Sequence, residues 1–183
     1  MATVENNIFI RGLRGALGRQ FVVKRGRNRS IVSSYPVFDE NRSFTEAQVK
    51  QQSRFREAVE FAKSAKGWAV YVEKARADNR TPYHVAISDF CHAPEIVTID
   101  PQNWQSGQGG AIHIKAVDDV QVTQVKVAIT DKAGTVLEEG AAVQTNAAWW
   151  SYTPAVNAMD GASIMVTAFD LAGNMVEANK VLD

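Results

Sequence analysis

The sequence is poor in the features that usually announce a function. It has one cysteine, Cys91, in 183 residues. No intramolecular disulfide can form, so stability has to come from packing. It has no run of 18 consecutive apolar residues, and a membrane-spanning helix is not expected. The first ten residues hold Glu5, two asparagines and no long apolar core, unlike a standard secretory leader. These absences lead to the expectation of a cytoplasmic protein, or of a component of a particle assembled inside a cell. Catalytic signatures are missing too. Gly12-Leu13-Arg14-Gly15 has the wrong spacing for a phosphate-cradling loop. No EF-hand loop is present. Cys91 and the histidines do not fall in a recognised nucleophile motif. An enzyme, a cofactor and an assigned metal are therefore not expected.

The formal net charge is zero, but it is unevenly spread. Residues 1–92 hold 16 Lys and Arg against nine Asp and Glu, a balance of +7. Residues 93–183 hold four against 11, a balance of −7. A basic front and an acidic back could pair within one molecule. They could equally pair head to tail between molecules, as heterologous interfaces do.

What is present is clearest in the second half. In residues 111–117, Ile112, Ile114 and Ala116 point one way while His113 and Lys115 point the other. Period two marks a strand with one wet face. Val125, Val127 and Ile129 repeat the pattern, as do Ile164, Val166 and Ala168. Noisier runs lie at 96–99, 135–138, 147–153 and 174–181. Asp131-Lys132-Ala133-Gly134 and Asp170-Leu171-Ala172-Gly173-Asn174 read as turns. About seven short strands at this spacing predict an antiparallel β-sandwich over residues 94–183. Its inner lining should be Ile112, Ile114, Val125, Val127, Ile164 and Val166. Trp149 and Trp150 are neighbours in a strand, so at most one ring can enter the core. The outward one is a candidate contact anchor.

Residues 1–93 form a basic region of different character. Residues 20–24 and 30–35 flank a turn, Arg25-Gly26-Arg27-Asn28-Arg29, and predict a β-hairpin. A lone hairpin is marginal in water, so it needs a surface to lie on. Helices should follow. Ser43 with Glu46, or Thr45 with Gln48, gives a capping box. Phe55, Ala58, Val59, Ala62 and Ala65 make an apolar stripe. Residues 68–77 form a second helical stretch. Thr81-Pro82 reads as N-cap and first turn of a third, with Tyr83, Ala86, Ile87 and Phe90 on its apolar face. The direct run into the first sandwich strand leaves little slack, so the helices should dock on the sandwich. The class is α+β, with a hairpin and helices ahead of the sandwich.

Two stretches carry a resemblance. The run 164–174, an apolar alternating strand followed by Asp170-Leu171-Ala172-Gly173-Asn174, resembles the late strand and turn of bacterial immunoglobulin-like domains. Ile114-Lys115-Ala116-Val117-Asp118-Asp119, Val125-Lys126-Val127-Ala128-Ile129 and Asp131-Lys132-Ala133-Gly134 are similar to earlier strands of such modules. Phe21-Val22-Val23-Lys24, Val32-Ser33-Ser34-Tyr35-Pro36, Thr45-Glu46-Ala47-Gln48 and Arg54-Phe55 resemble the opening of a set of uncharacterised bacterial proteins. Those place a basic hairpin and helices ahead of an Ig-like domain. The resemblance implies a fold and no activity.

Several groups are candidates for chemistry or contact. Arg11, Arg14, Arg19, Lys24, Arg25, Arg27 and Arg29 could meet acidic protein surface, or phosphate. Phe21 and Tyr35 could stack bases, but no nucleic-acid-binding motif accompanies them. His84, Asp89, Cys91 and His92 cluster, yet zinc wants three or four converging ligands. Asp118, Asp119, Asp131, Asp170 and Asn174 lie at strand ends, where such residues either make turns or bind calcium. The favoured expectation is a non-enzymatic structural or interaction protein that binds a protein partner or its own copies. Nucleic-acid binding through the basic arm is an alternative. A carbohydrate- or ligand-binding sandwich using Trp149 or Trp150 is another. Membrane insertion is not expected.

Overall fold

A computed structural model of the chain describes residues 2–4, 12–25, 30–38, 42–105, 110–157 and 159–182. It divides into two compact units, Met1–Thr45 and Glu46–Asp183. The division falls earlier than the boundary at 93/94 drawn from composition, because the helices share a unit with the sandwich.

The first unit is a sheet. β1 (Ala2–Val4), β2 (Gly15–Leu17), β3 (Phe21–Arg25) and β4 (Ser30–Ser34) lie in the order β1-β4-β3-β2. The expected hairpin is β3–β4, with Val23 opposite Val32. The two flanking strands were not expected. At three residues each, they are too short to show a period. Among the unit's described residues only Val23 is buried.

The second unit begins with three helices, α1 (Glu46–Ala65), α2 (Ala69–Ala77) and α3 (Pro82–Cys91). Thr81 caps α3 as expected, its side chain accepting the backbone N–H of His84 at 3.3 Å, with Pro82 in the first turn. Both α1 and α2 pack on α3. Ala58, Ala62 and Ala65 of α1 are buried, but Phe55 is 52% exposed, which corrects its place on the buried stripe. The cause is reach. At about 1.5 Å per residue, α3 covers only about half the length of α1. Phe61 joins the helical core instead, with Tyr71, Ala75, Val85 and Ala86. Val120 and Leu171, from loops at one end of the sandwich, complete that core. The helical layer therefore docks on the sandwich, as the short connection required.

The sandwich has two four-stranded antiparallel sheets. One runs β5-β6-β10-β9 and the other β12-β11-β7-β8. Their ranges are β5 (Glu95–Asp100), β6 (Ile112–Val117), β7 (Val122–Thr130), β8 (Val136–Ala141), β9 (Val143–Gln144), β10 (Trp149–Tyr152), β11 (Ser163–Asp170) and β12 (Met175–Val181). The sandwich holds eight strands where about seven were expected. β9, two residues long, is the addition, as is the one-turn helix α4 (Gln102–Gln105). Ile112, Ile114, Val125, Val127, Ile164 and Val166 are all 0% exposed. The alternation had assigned them to one lining, and they form one core. No helix is long and apolar enough to cross a membrane among the described residues.

Candidate functional site: a buried carboxylate cluster

Three carboxylates meet where α3 touches the end of the sandwich. They are Asp89 of α3, Asp118 just after β6, and Asp170 at the end of β11. One side-chain oxygen from each lies within 4.8 Å of the others. Each arrives by the same rule that builds the core. Ile164, Val166 and Ala168 face inward, and two residues on the same parity reaches Asp170, which is 4% exposed. A bulge between Phe169 and Asp170 adjusts its aim. Ile112, Ile114 and Ala116 carry the same parity to Asp118. On α3, Val85, Ala86 and Asp89 share the inner face, and Asp89 is 0% exposed.

Neighbours hold the outer oxygens. The Tyr71 hydroxyl donates to Asp89 Oδ2 at 2.5 Å. Asp118 Oδ2 accepts the N–H groups of Val120 and Gln121, each at 2.9 Å. Asn174 donates its N–H to Asp170 Oδ1 and its side-chain amide to Asp170 Oδ2, both at 2.7 Å. The same amide donates to the carbonyls of Asp89 (3.0 Å) and His92 (3.1 Å), so this turn also closes the end of α3. What remains is two buried oxygens, Asp89 Oδ1 and Asp118 Oδ1, with no hydrogen-bond partner.

The electrostatics follow from this enclosure. Burial, opposed by the Tyr71 bond and reinforced by the negative charges of Asp118 and Asp170, pushes the Asp89 carboxyl up to about 7. Burial likewise raises Asp170, against the pull of its Asn174 bonds. Burial and the bond to Asp89 push the Tyr71 phenol up, so it stays a donor.

The other candidates are dispersed. His84 Nδ1 sits 3.0 Å from Thr81 Oγ1, and His92 Nδ1 is 3.1 Å from Asp119 Oδ2. Neither converges with the half-buried Cys91 on a shared point among the described residues. Asp131 serves its own turn, its Oδ1 accepting from the N–H groups of Ala133 and Thr135 at 2.8 Å each. Arg14, Arg19, Lys24 and Arg25 are exposed on the first unit. Arg11, Arg27 and Arg29 lie outside the described residues. Trp150 is 5% exposed inside the sandwich core, which removes it as a surface anchor. Trp149 is the outward ring, half-buried, with the Lys115 ammonium 6.0 Å from its centroid. Sequence reasoning had placed Asp118, Asp170 and Asn174 at a strand end but grouped Asp89 with the histidines. The inward parity of Asp118 and Asp170 was the available signal.

No family model and no curated protein matches the chain. Solved structures with a partial likeness include the following two. CopC from Methylosinus trichosporium OB3b shares 16% identity over 50% of this chain and 94% of its own, with a TM-score of 0.37. An engineered protein shares 19% identity over 40% of this chain and 16% of its own, with a TM-score of 0.34.

Proposed function

We propose that the chain is a non-enzymatic structural or interaction protein. In this reading the sandwich is an Ig-like module and the first unit attaches it to a further copy of itself. The strand order supports the Ig-like part. β5-β6-β10-β9 against β12-β11-β7 corresponds to the A-B-E-D and G-F-C sheets of a constant-type domain, with β8 added beside the C position. The usual inter-sheet disulfide is excluded by the single cysteine.

The observation that carries the attachment reading is the surface of the first unit. Residues 1–45 hold eight Lys and Arg against three Asp and Glu, whereas residues 46–183 hold 12 against 17. Beside that basic charge, Phe21 is 49%, Phe38 76% and Val37 93% exposed. Apolar and basic groups side by side suit an acidic protein surface, and residues 46–183 of a second copy offer one. Opposite charges fix the direction, so the contact is head to tail.

Light scattering at low and high salt tests this. The expected result is a mass above the monomer at low salt that falls towards the monomer at high salt. Arg14→Glu, Arg19→Glu, Lys24→Glu and Arg25→Glu together should leave a monomer at both. A monomer throughout for the unaltered chain removes the reading. If the same four changes instead abolish salt-sensitive retention of RNA or DNA on a filter, the first unit is a nucleic-acid arm.

A further inference from the structure

We propose that Asp89, Asp118 and Asp170 bind a divalent cation, calcium by size and donor type, and that the ion locks α3 to the end of the sandwich. A group of acidic residues alone would not carry this. The second observation is that Asp89, wholly buried, turns Oδ1 into the cluster with no partner, and Asp118 Oδ1 does the same. Buried polar atoms are almost always satisfied. Asp89 and Asp118 can share a proton only while one of them is neutral; when both are ionised neither donates. A cation between them satisfies both.

The donors are all oxygen, which selects a hard ion over zinc or copper. Calcium bonds oxygen at about 2.4 Å, so its ligands lie at most about 4.8 Å apart. The three carboxylate oxygens meet that limit. Tyr71 holds Asp89 Oδ2, the N–H groups of Val120 and Gln121 hold Asp118 Oδ2, and Asn174 bonds both oxygens of Asp170, which would ligate through a further lone pair, in the way outer partners orient ligating carboxylates. Water and backbone oxygens would complete the six to eight ligands calcium takes. The three carboxylates come from one helix and two sandwich loops or strand ends, so binding ties those elements together. The site goes beyond the attachment reading and does not depend on it.

The test uses the full chain after treatment with chelator. Thermal unfolding is followed with calcium or magnesium added, and terbium luminescence is measured separately. At free calcium 100-fold above its dissociation constant, the midpoint should rise by about 5–10 °C, and excess chelator should reverse it. Asp118→Asn should fold, by circular dichroism, yet lose both the rise and the terbium signal. Asp118 is only half-buried, which makes this change milder than one at Asp89. No rise at millimolar calcium overturns the proposal. So does an equal rise in Asp118→Asn, or a larger rise with magnesium than with calcium.

Discussion

The chain contains two antiparallel β systems, and among the described residues they differ in how many side chains they bury. The sandwich stacks one four-stranded sheet on another, and Ile112, Ile114, Val125, Val127, Ile164 and Val166 are all fully buried between them. The first unit is also a four-stranded sheet, yet among its described residues one side chain, Val23, is buried. Both have strands with apolar residues. Strand pairing therefore does not make a core. A second layer facing the first does, because the stabilisation scales with apolar area removed from water.

The sharpest way to break this comparison is a truncation in the lining. Ile114→Ala should cost about 2–5 kcal/mol, from lost transfer energy plus the cavity left behind. Ile114 is paired with Trp150 on β10 and Ile99 on β5, so the hole opens in mid-sheet. Urea unfolding measures it. A cost below about 0.5 kcal/mol, typical of a surface change, would mean that the two sheets do not share a dry interface.

A smaller effect comes from the edge of the sandwich. A Cβ on Gly140 of β8 would lie 2.7 Å from Tyr152 Cε2 and 2.8 Å from its Oη. The ring cannot simply swing aside, because its hydroxyl donates to Glu138 Oε1 at 2.7 Å. Glu138 also accepts the N–H groups of Ala155 and Val156. Gly140→Ala should thus lose about 1–3 kcal/mol, the range for overpacking. Tyr152→Phe in the same background should recover part of that loss, because it removes the clashing Oη and frees the ring from Glu138.

The same contact sets a pH dependence. Burial raises the Glu138 carboxyl, but its bonds from Tyr152, Val156 and Ala155 outweigh that and hold it below the ordinary 4.5. A depressed folded-state value means the stabilisation is complete above the unfolded value. It is lost as pH falls through about 4.5 and below. Urea midpoints of Glu138→Gln and the unaltered chain should therefore converge as pH drops from 6 towards about 3. A constant gap would assign the contact to shape alone.

These elements differ in how far the sequence announced them. The lining was legible because period two is a local pattern and the strands are six to nine residues long in β6, β7 and β11. The capped start of α3 was legible for the same reason, since Thr81 and Pro82 act on their own neighbours. β1, β2 and β9 span two or three residues, below any period. Asp89 was hidden differently. An isolated buried carboxylate is expensive, so a lone Asp on a helix reads as a surface group. What keeps it inside is Tyr71, 18 residues away in sequence, and Asn174, 85 away. Such partners leave no trace in a local window. Phe55 failed through length, since the stripe continues where α3 no longer reaches.

The smallest effect is the one that sharpens the contrast most. Phe21 of β3 is larger than Ile114 and also sits in a paired strand, opposite Ser34. It is 49% exposed, so removing it withdraws little area from a dry interface. Phe21→Ala in the dilute monomer should change stability by less than about 0.5 kcal/mol. At concentrations where copies associate, the same change should weaken association, since aromatic anchors contribute most where they are desolvated by a partner. The two measurements separate a side chain that holds the fold from one that waits for a surface. A loss of several kcal/mol in the dilute monomer would place Phe21 in a core, and would erase the distinction between the two sheets.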